Sequence, residues 1–215
     1  LKWIKSDLQN KKQLFLFLII SFLLSLFIIK NTNVNFLLNT VLVTSAFYLF
    51  FVTLKDFFNK NFVNLAQNIA HFGFSLLILS ILFNNIFSKE IITNLKVGET
   101  YQSKNFKIYF EDIETKNQQN YKAIIGKFKI QNVDGNNEIL KPELRIYNQP
   151  IIITSEADIK TSLLTDKFMT MNSIQNQDYF NVRYQIKPLM IWIWISVFLI
   201  TLGGLTSLLK KKYED

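Results

Sequence analysis

Four long stretches without a charged residue constrain this chain more than any other feature of its sequence. Residues 14–29, 34–54, 64–86 and 188–209 are dominated by Leu, Ile, Val and Phe. A membrane hydrocarbon core of about 30 Å is crossed by roughly 17 to 25 helical residues. The four stretches therefore predict an α-helical membrane protein with four transmembrane helices, of which the first is slightly short.

The positions of the lysines predict how these helices are oriented. The chain has a formal net charge of +8, and lysines precede the first stretch, lie between the second and third, and follow the fourth. The loop between the first and second stretches holds only Lys30. Positive residues stay on the cytoplasmic side of a membrane, or on the matrix side in an organelle. We therefore expect residues 210–215 to form a cytoplasmic tail and residues 88–187 to lie outside the cytoplasm.

Residues 88–187 predict a small, mostly β domain between the third and fourth helices. Apolar and polar residues alternate over residues 106–110, 124–130 and 180–186, as in half-buried strands. The pair Asp134-Gly135 is typical of a tight hairpin turn. We expect a β-sheet or barrel-like module in this extracytoplasmic segment.

The residue types exclude several classes of site. The sequence has no cysteine and one histidine, which excludes disulfides, thiolate zinc sites, iron-sulfur clusters and any site built from two histidines of this chain. It has no P-loop, no G-x-S-x-G motif and no glycine-rich dinucleotide fingerprint, so we do not expect a standalone hydrolase. Nearly all basic residues are lysines, whereas base readout depends on arginine. We therefore expect no nucleic-acid partner.

The single histidine, His71, lies in the third apolar stretch, about two turns from its cytoplasmic end. Ionisable residues at membrane depth face a partner or a cavity. Gln67, His71 and Ser75 recur at steps of four after Asn64, which predicts a polar stripe that faces the helix bundle. The residues alone leave two interpretations open. His71 either hydrogen-bonds within the bundle through Gln67 or Ser75, or it ligates a metal such as heme iron.

Small residues predict close helix packing next to this stripe. Ala66, Ala70 and Gly73 leave room for a neighbouring helix or for a flat macrocycle to approach closely. Gly203 and Ser207 form a second pair of small residues in the fourth stretch, and we interpret this pair as a packing device.

Two other groups of residues are candidates for contacts with a ligand. Trp192 and Trp194 lie near the outer end of the fourth stretch, where indoles favour the membrane interface. A contact with heme or with an apoprotein is the alternative for these tryptophans. Glu143 and Arg145 share one face of a predicted strand, and we interpret them as a structural ion pair.

Several segments together resemble the C-terminal part of the CcmF family, the large membrane subunit of the heme lyase in cytochrome c maturation. The resemblance implies that His71 is an axial ligand of a b-type heme, with Gln67 and Ser75 as candidates to orient its ring. The segments are Ala70-His71-Phe72-Gly73, similar to the family's Ala-His-Leu-Gly, then Gly98-Glu99-Thr100, Pro142-Glu143-Leu144-Arg145-Ile146-Tyr147 and Lys187-Pro188-Leu189-Met190-Ile191-Trp192.

This resemblance also implies a function. Members attach heme to apocytochrome c, together with other membrane proteins of cytochrome c maturation. The chain resembles about the last third of a member, so we expect a fragment or the product of a split gene. We expect it not to be catalytic alone, and we expect the second heme ligand to come from elsewhere.

The resemblance places the chain in the bacterial inner membrane, in contact with lipid and with its β domain in the periplasm. The mitochondrial inner membrane is the alternative location. The competing function is that of a non-catalytic membrane assembly or adaptor subunit. In that case the outer β domain docks a partner and His71 only packs.

Overall fold

The computed structural model describes residues 8–30, 32, 34–58, 65–104, 106–132, 135, 137–174 and 178–214. These residues belong to two compact units, a helical one and a β unit that spans Ser88–Pro188. Asn64 and Asp134, which entered the predictions above, lie outside the described residues. The described part of the chain contains the helices α1 (Leu8–Ile29), α2 (Phe36–Phe58), α3 (Leu65–Phe87) and α4 (Met190–Glu214).

Each of these helices overlaps one of the four uncharged stretches, and each is long and apolar enough to cross a membrane. Helix α2 begins at Phe36 because Asn35 caps it: the backbone N–H of Leu38 donates to the Asn35 side-chain oxygen at 3.2 Å. In α4 the apolar span ends at Leu209, and the helix continues to Glu214 through most of the expected tail.

The start of α4 differs from the sequence prediction. Pro188, the first residue of the fourth predicted stretch, is the last residue of a strand and pairs with Thr165. The chain then turns at Leu189, which has a φ of 57°, and the Leu189 carbonyl accepts the backbone N–H of Trp192 at 3.1 Å. Proline has no N–H to donate, and a strand end tolerates this loss as well as a first helical turn does.

Helices α3 and α4 pack at backbone distance through glycine and alanine. A Cβ atom built on Gly203 would lie 2.7 Å from the Ala66 carbonyl oxygen and 2.7 Å from the Ala70 Cβ. A Cβ atom on Gly73 would lie 2.9 Å from the Leu199 Cβ. The small residues of α3 are thus occupied by a neighbouring helix, one of the two alternatives that the sequence left open.

The β unit is a sandwich of two antiparallel sheets. In the described residues, one sheet has the strand order β1-β10-β9-β8, and the other has the order β2-β3-β4-β6-β7, with β5 also paired to β4. The strands are β1 (Lys89–Leu95), β2 (Thr100–Gln102), β3 (Phe106–Asn117), β4 (Tyr121–Asn132), β5 (Asn137–Leu140), β6 (Glu143–Asn148), β7 (Ile151–Glu156), β8 (Asp158–Thr161), β9 (Thr165–Ser173) and β10 (Phe180–Pro188).

The core of the sandwich follows the predicted alternation. Phe106, Ile108 and Phe110 all point inward and are buried, and the ring of Phe110 stacks on that of Phe128 at 4.1 Å between centroids. The mostly β domain is therefore confirmed. Its two sheets face each other and keep open edges, so it is a sandwich and not a closed barrel.

Polar groups are also buried inside this core. Lys167 on β9 donates to Glu138 on β5 at 2.7 Å, with both side chains 17% exposed, and this ion pair connects the two sheets. The Tyr184 hydroxyl is buried without a hydrogen-bond partner among the described residues, as are one oxygen of Glu138 and one of Asp166. Burial, together with the negative charge of Glu138, raises the pKa of Tyr184 above its usual range.

Replacement of Gly203 by alanine tests the contact between α3 and α4. We expect Gly203→Ala to lower the stability of the detergent-solubilised chain by about 1 to 3 kcal/mol, because the new methyl group meets backbone atoms that cannot move aside. Gly204→Ala is the matched control, since no atom lies within 4 Å of its built Cβ. Thermal unfolding compares the two variants, and equal melting temperatures would contradict the packing.

Replacement of Tyr184 by phenylalanine tests the unpaired hydroxyl. At neutral pH we expect Tyr184→Phe to leave the β unit as stable as before or to stabilise it by about 1 kcal/mol, because a desolvated donor is removed. Near pH 11 an unfolded tyrosine ionises whereas the buried Tyr184 resists ionisation, so the original chain loses stability above about pH 10. The Tyr184→Phe variant should lose less stability over the same rise in pH.

Urea unfolding followed by near-ultraviolet circular dichroism measures both effects. Tyr109→Phe is the control, because Tyr109 is 39% exposed whereas Tyr184 is 1% exposed. A marked loss of stability in Tyr184→Phe at neutral pH would show that the hydroxyl has a partner.

Candidate functional site

His71 lies in the second turn of α3 and is exposed on the surface of the helical unit. No described residue forms a hydrogen bond or an ion pair with its imidazole. Within the described residues there is also no group of three or more His, Asp or Glu side chains that could hold a metal ion. The imidazole therefore has an unused ligand atom and no competing partner in this part of the chain.

Ser75, one turn further along α3, has a different environment. Its side chain is fully buried, and its hydroxyl lies 2.7 Å from that of Thr53 on α2. The Ser75 hydroxyl also donates to the Phe72 carbonyl at 2.8 Å. Ser75 thus connects α3 to α2 and forms no hydrogen bond to His71.

Gln67 lies one turn before His71 and is exposed on the same side of α3. It forms no hydrogen bond to His71 in the structure. Phe74 is also on this side and is 54% exposed. The predicted polar stripe is therefore divided: Gln67 and His71 face outward from the helical unit, and Ser75 faces α2.

Two neighbouring helices explain which side of α3 stays open. Helix α4 covers the side of Ala66, Ala70 and Gly73. Helix α2 covers another side, where the Phe72 ring packs against those of Phe50 and Phe57 at 5.7 and 5.2 Å between centroids. His71 lies between these two contacts and is covered by neither.

An apolar groove between α2 and α3 continues the open side of α3. Its volume is about 310 Å³. Ile78, which lines the groove, lies seven residues after His71, and two helical turns return a side chain to nearly the same face. The groove residues are Leu42, Ser45, Ala46, Leu49, Ile78, Ile81 and Leu82.

This arrangement can bind a metal centre that has its own apolar body. A neutral imidazole offers one nitrogen lone pair to a metal, and the surrounding surface is apolar with few polar groups. A flat macrocycle with a bound iron fits these properties, whereas a bare metal ion needs more ligands than the described residues supply.

Thr53 was missed by the sequence analysis. Its hydroxyl is the partner of Ser75 and also lies 2.9 Å from the Leu49 carbonyl oxygen. Because the hydroxyl has one hydrogen, Thr53 donates to one of these two acceptors at a time. A polar residue in an apolar helix is a signal for an interhelical hydrogen bond, but α2 has several Ser and Thr residues. Spacing along one helix does not indicate which of them faces α3.

The remaining candidate residues lie in α4 and in the β unit. Trp194 is 69% exposed on α4, and Trp192 is half-buried. In the β unit, Arg145 donates to Glu143 at 3.0 Å and its guanidinium lies 5.1 Å from the centre of the Tyr121 ring. The hydrogen bond to Glu143 raises the pKa of Arg145. These contacts fit the structural ion pair that the sequence predicted.

Comparisons with known proteins connect these features to one family. Residues 86–188 match the family model described as the CcmF C-terminal beta-sandwich. The cytochrome c-type biogenesis protein CcmF of Haemophilus influenzae is 30% identical over 148 residues, which cover 68% of this chain and 22% of that protein. CcmF of Escherichia coli is 26% identical over 146 residues, which cover 67% of this chain and 22% of that protein.

Two further matches extend the likeness beyond the sandwich. The cytochrome c-type biogenesis protein NrfE of Haemophilus influenzae is 26% identical over 180 residues, which cover 81% of this chain and 28% of that protein. A solved structure of the cytochrome c heme lyase CcmF has a TM-score of 0.69 and 17% identity over 93% of this chain and 34% of that one. The chain therefore shares the fold of that structure.

The matched segment of the family model coincides with the β unit, and the solved structure also covers the helices. The chain spans 22% of the length of the two CcmF relatives. From the apolar helices, the sandwich and these matches, we conclude that the chain is part of an integral membrane protein and belongs to the CcmF family, whose C-terminal beta-sandwich it carries.

Proposed function

We propose that this chain takes part in cytochrome c-type biogenesis as the heme-binding C-terminal portion of a heme lyase. One observation carries the proposal: His71 is exposed on an apolar helix and has no hydrogen-bond partner among the described residues. Membership of the CcmF family agrees with it, since relatives and the solved structure are described as cytochrome c-type biogenesis proteins and a cytochrome c heme lyase.

The cost of an exposed histidine in a membrane span supports a ligand at His71. Polar side chains at membrane depth are stabilised when they are paired or when they line a site. Ser75 and Thr53 satisfy each other, so the bundle offers His71 no such partner on that side. Ligation of a heme iron would use the free nitrogen and cover the neighbouring apolar surface.

The residues present fit a b-type heme, which when bound supplies a one-electron redox centre. His71 would hold the heme iron through an imidazole nitrogen. Since the chain has one histidine, a second imidazole ligand would come from outside this chain. Gln67 is better placed than Ser75 to orient the imidazole, because it shares the exposed side of α3 while Ser75 is bonded to α2.

The bond-forming step belongs to a larger assembly in this proposal. A heme lyase joins heme to the thiols of an apocytochrome c, and we assign none of the residues of this chain to that step. Its partners are heme, apocytochrome c, the rest of the same protein or a split subunit, and other membrane proteins of cytochrome c maturation. The relatives are bacterial, which favours the bacterial inner membrane as its location.

The lysine distribution supports a β unit on the periplasmic side. Lys11 and Lys12 lie at the start of the membrane span of α1, and Lys55 lies near the end of α2. Both positions are at the same membrane side if the helices alternate in direction. By the positive-inside rule this side is cytoplasmic. The β unit between α3 and α4 would then lie on the opposite, periplasmic side.

The heme assignment predicts the effect of replacing His71. In membranes that contain the complete protein, His71→Ala should remove nearly all of the b-type heme spectrum, because an axial ligand is lost, while the protein stays inserted. Reduced-minus-oxidised absorption spectra, normalised to protein amount, measure the heme. Leu23→Ala, at a 59% exposed apolar position of α1, is the control and should keep the spectrum.

An unchanged spectrum in His71→Ala would exclude His71 as the ligand. Absence of heme from the original protein as well would favour the adaptor function, in which His71 only packs.

The topology predicts a labelling pattern, and the chain is suited to it because it has no native cysteine. A cysteine introduced at Lys104, which is exposed in the β unit, should react with a membrane-impermeant maleimide in intact bacterial cells. A cysteine at Lys11 should react only after permeabilisation. The opposite pattern would place the β unit in the cytoplasm.

A further inference from the structure

The outer edge of β7 is open in the described structure. Strand β7 lies at the end of its sheet and pairs with β6 alone among the described strands. Open edges in stable proteins are usually protected by charged residues, by proline within the strand or by a bulge. Residues 151–155 carry no charge, and Ile151, Ile152 and Ile153 are 82%, 49% and 57% exposed. Backbone groups and apolar side chains are thus both available along this edge.

A cavity of about 320 Å³ adjoins the first half of β7. The register pairs Tyr147 of β6 with Ile152 of β7, so these two side chains lie on the same face of the sheet. The cavity has room for one large apolar side chain from a neighbouring strand. Its lining residues are Tyr147, Gln149, Pro150, Ile152 and Thr154.

A carboxylate without a cation lies at the other end of the same face. Glu156 is half-buried and accepts a hydrogen bond from the Thr154 hydroxyl at 3.1 Å. No described Lys or Arg nitrogen lies within ion-pair distance of it. Its cross-strand neighbour Glu143 is already paired with Arg145 at 3.0 Å. The face therefore has an apolar position at Ile152 and, four residues later, an acidic position at Glu156.

We propose that the β7 edge binds an extended segment of a partner protein, which adds to the sheet as an antiparallel strand. Main-chain hydrogen bonds would provide the affinity, and alternate side chains the specificity. The segment would place an apolar or aromatic side chain opposite Ile152, in the cavity, and a basic side chain opposite Glu156. The residues between these two would be uncharged, since they face Ile153, Thr154 and Ser155.

Charge complementarity favours such a partner over a second copy of this chain. An antiparallel pair of two β7 strands, centred between Ile153 and Thr154, places Glu156 of one copy opposite Ile151 of the other. That arrangement supplies no cation for Glu156. A partner strand with a basic residue at this position supplies one, and opposite charges directly across an antiparallel pair stabilise it.

A designed peptide tests the proposal on the full chain in detergent. The probe is a fluorescein-labelled peptide with the sequence Lys-Val-Thr-Val-Phe-Val, whose lysine matches Glu156 and whose phenylalanine matches Ile152 in antiparallel register. Fluorescence anisotropy should show saturable binding. Binding should weaken about five-fold for the variant Glu156→Lys, because attraction becomes repulsion. A peptide with glutamate in place of its lysine should recover that loss.

Two controls separate this binding from adsorption to the detergent micelle. Glu114→Lys changes an exposed carboxylate on β3, away from the edge, and should leave binding unchanged. A peptide with N-methylated backbone amides should bind much more weakly, because it cannot donate to a strand edge.

Three outcomes would overturn the proposal. They are absence of binding up to about 1 mM peptide, equal affinities for the original chain and Glu156→Lys, and a dimer of the chain that excludes the peptide from the edge. None of these outcomes tests the heme proposal, which concerns His71 in the helical unit and is measured by absorption spectra.

Discussion

The close contact between α3 and α4 decides where the histidine of this chain points. Gly73 and Gly203 let the two backbones approach to a distance at which a methyl group would not fit. This contact fixes the rotation of α3 about its axis. The hydroxyl pair Thr53 and Ser75 then holds α2 against another side of the same helix. His71 is left on the remaining side because the other directions are filled.

Charged residues of the β unit are paired both between its sheets and at its surface. Glu138 is neutralised by Lys167 across the sandwich, which offsets the cost of removing both from water. At the surface, Arg183 pairs with Glu90, and this hydrogen bond lowers the pKa of Glu90. Glu156 belongs to neither group, since it is half-buried and has no described cation beside it. Glu156 lies on the open edge strand β7, so an incoming cation can reach it.

Much of the fold could be predicted from local patterns. Alternation at Phe106, Ile108 and Phe110 predicted the inward face of β3, because successive side chains of a strand point to opposite sides. The polar stripe of α3 could not be predicted as well. Each step of four residues rotates a side chain by about 40°, so Gln67 and Ser75 differ by about 80°. Helices α2 and α4 approach α3 from different directions. The spacing of residues within α3 does not indicate these directions.

The β7 edge has a property that an isolated exposed strand lacks, which is rigidity. Its neighbour β6 is anchored to β4, because Arg145 of β6 lies against the ring of Tyr121 on β4. The Arg145 guanidinium is also held by its hydrogen bond to Glu143. On the inner side, the Ser155 hydroxyl donates to the Met171 carbonyl of the opposite sheet at 2.7 Å. A strand ordered from both sides loses little conformational entropy when another strand is added. The ordering cost of association then falls mainly on the incoming segment, so a segment that is already extended and β-branched would bind this edge best.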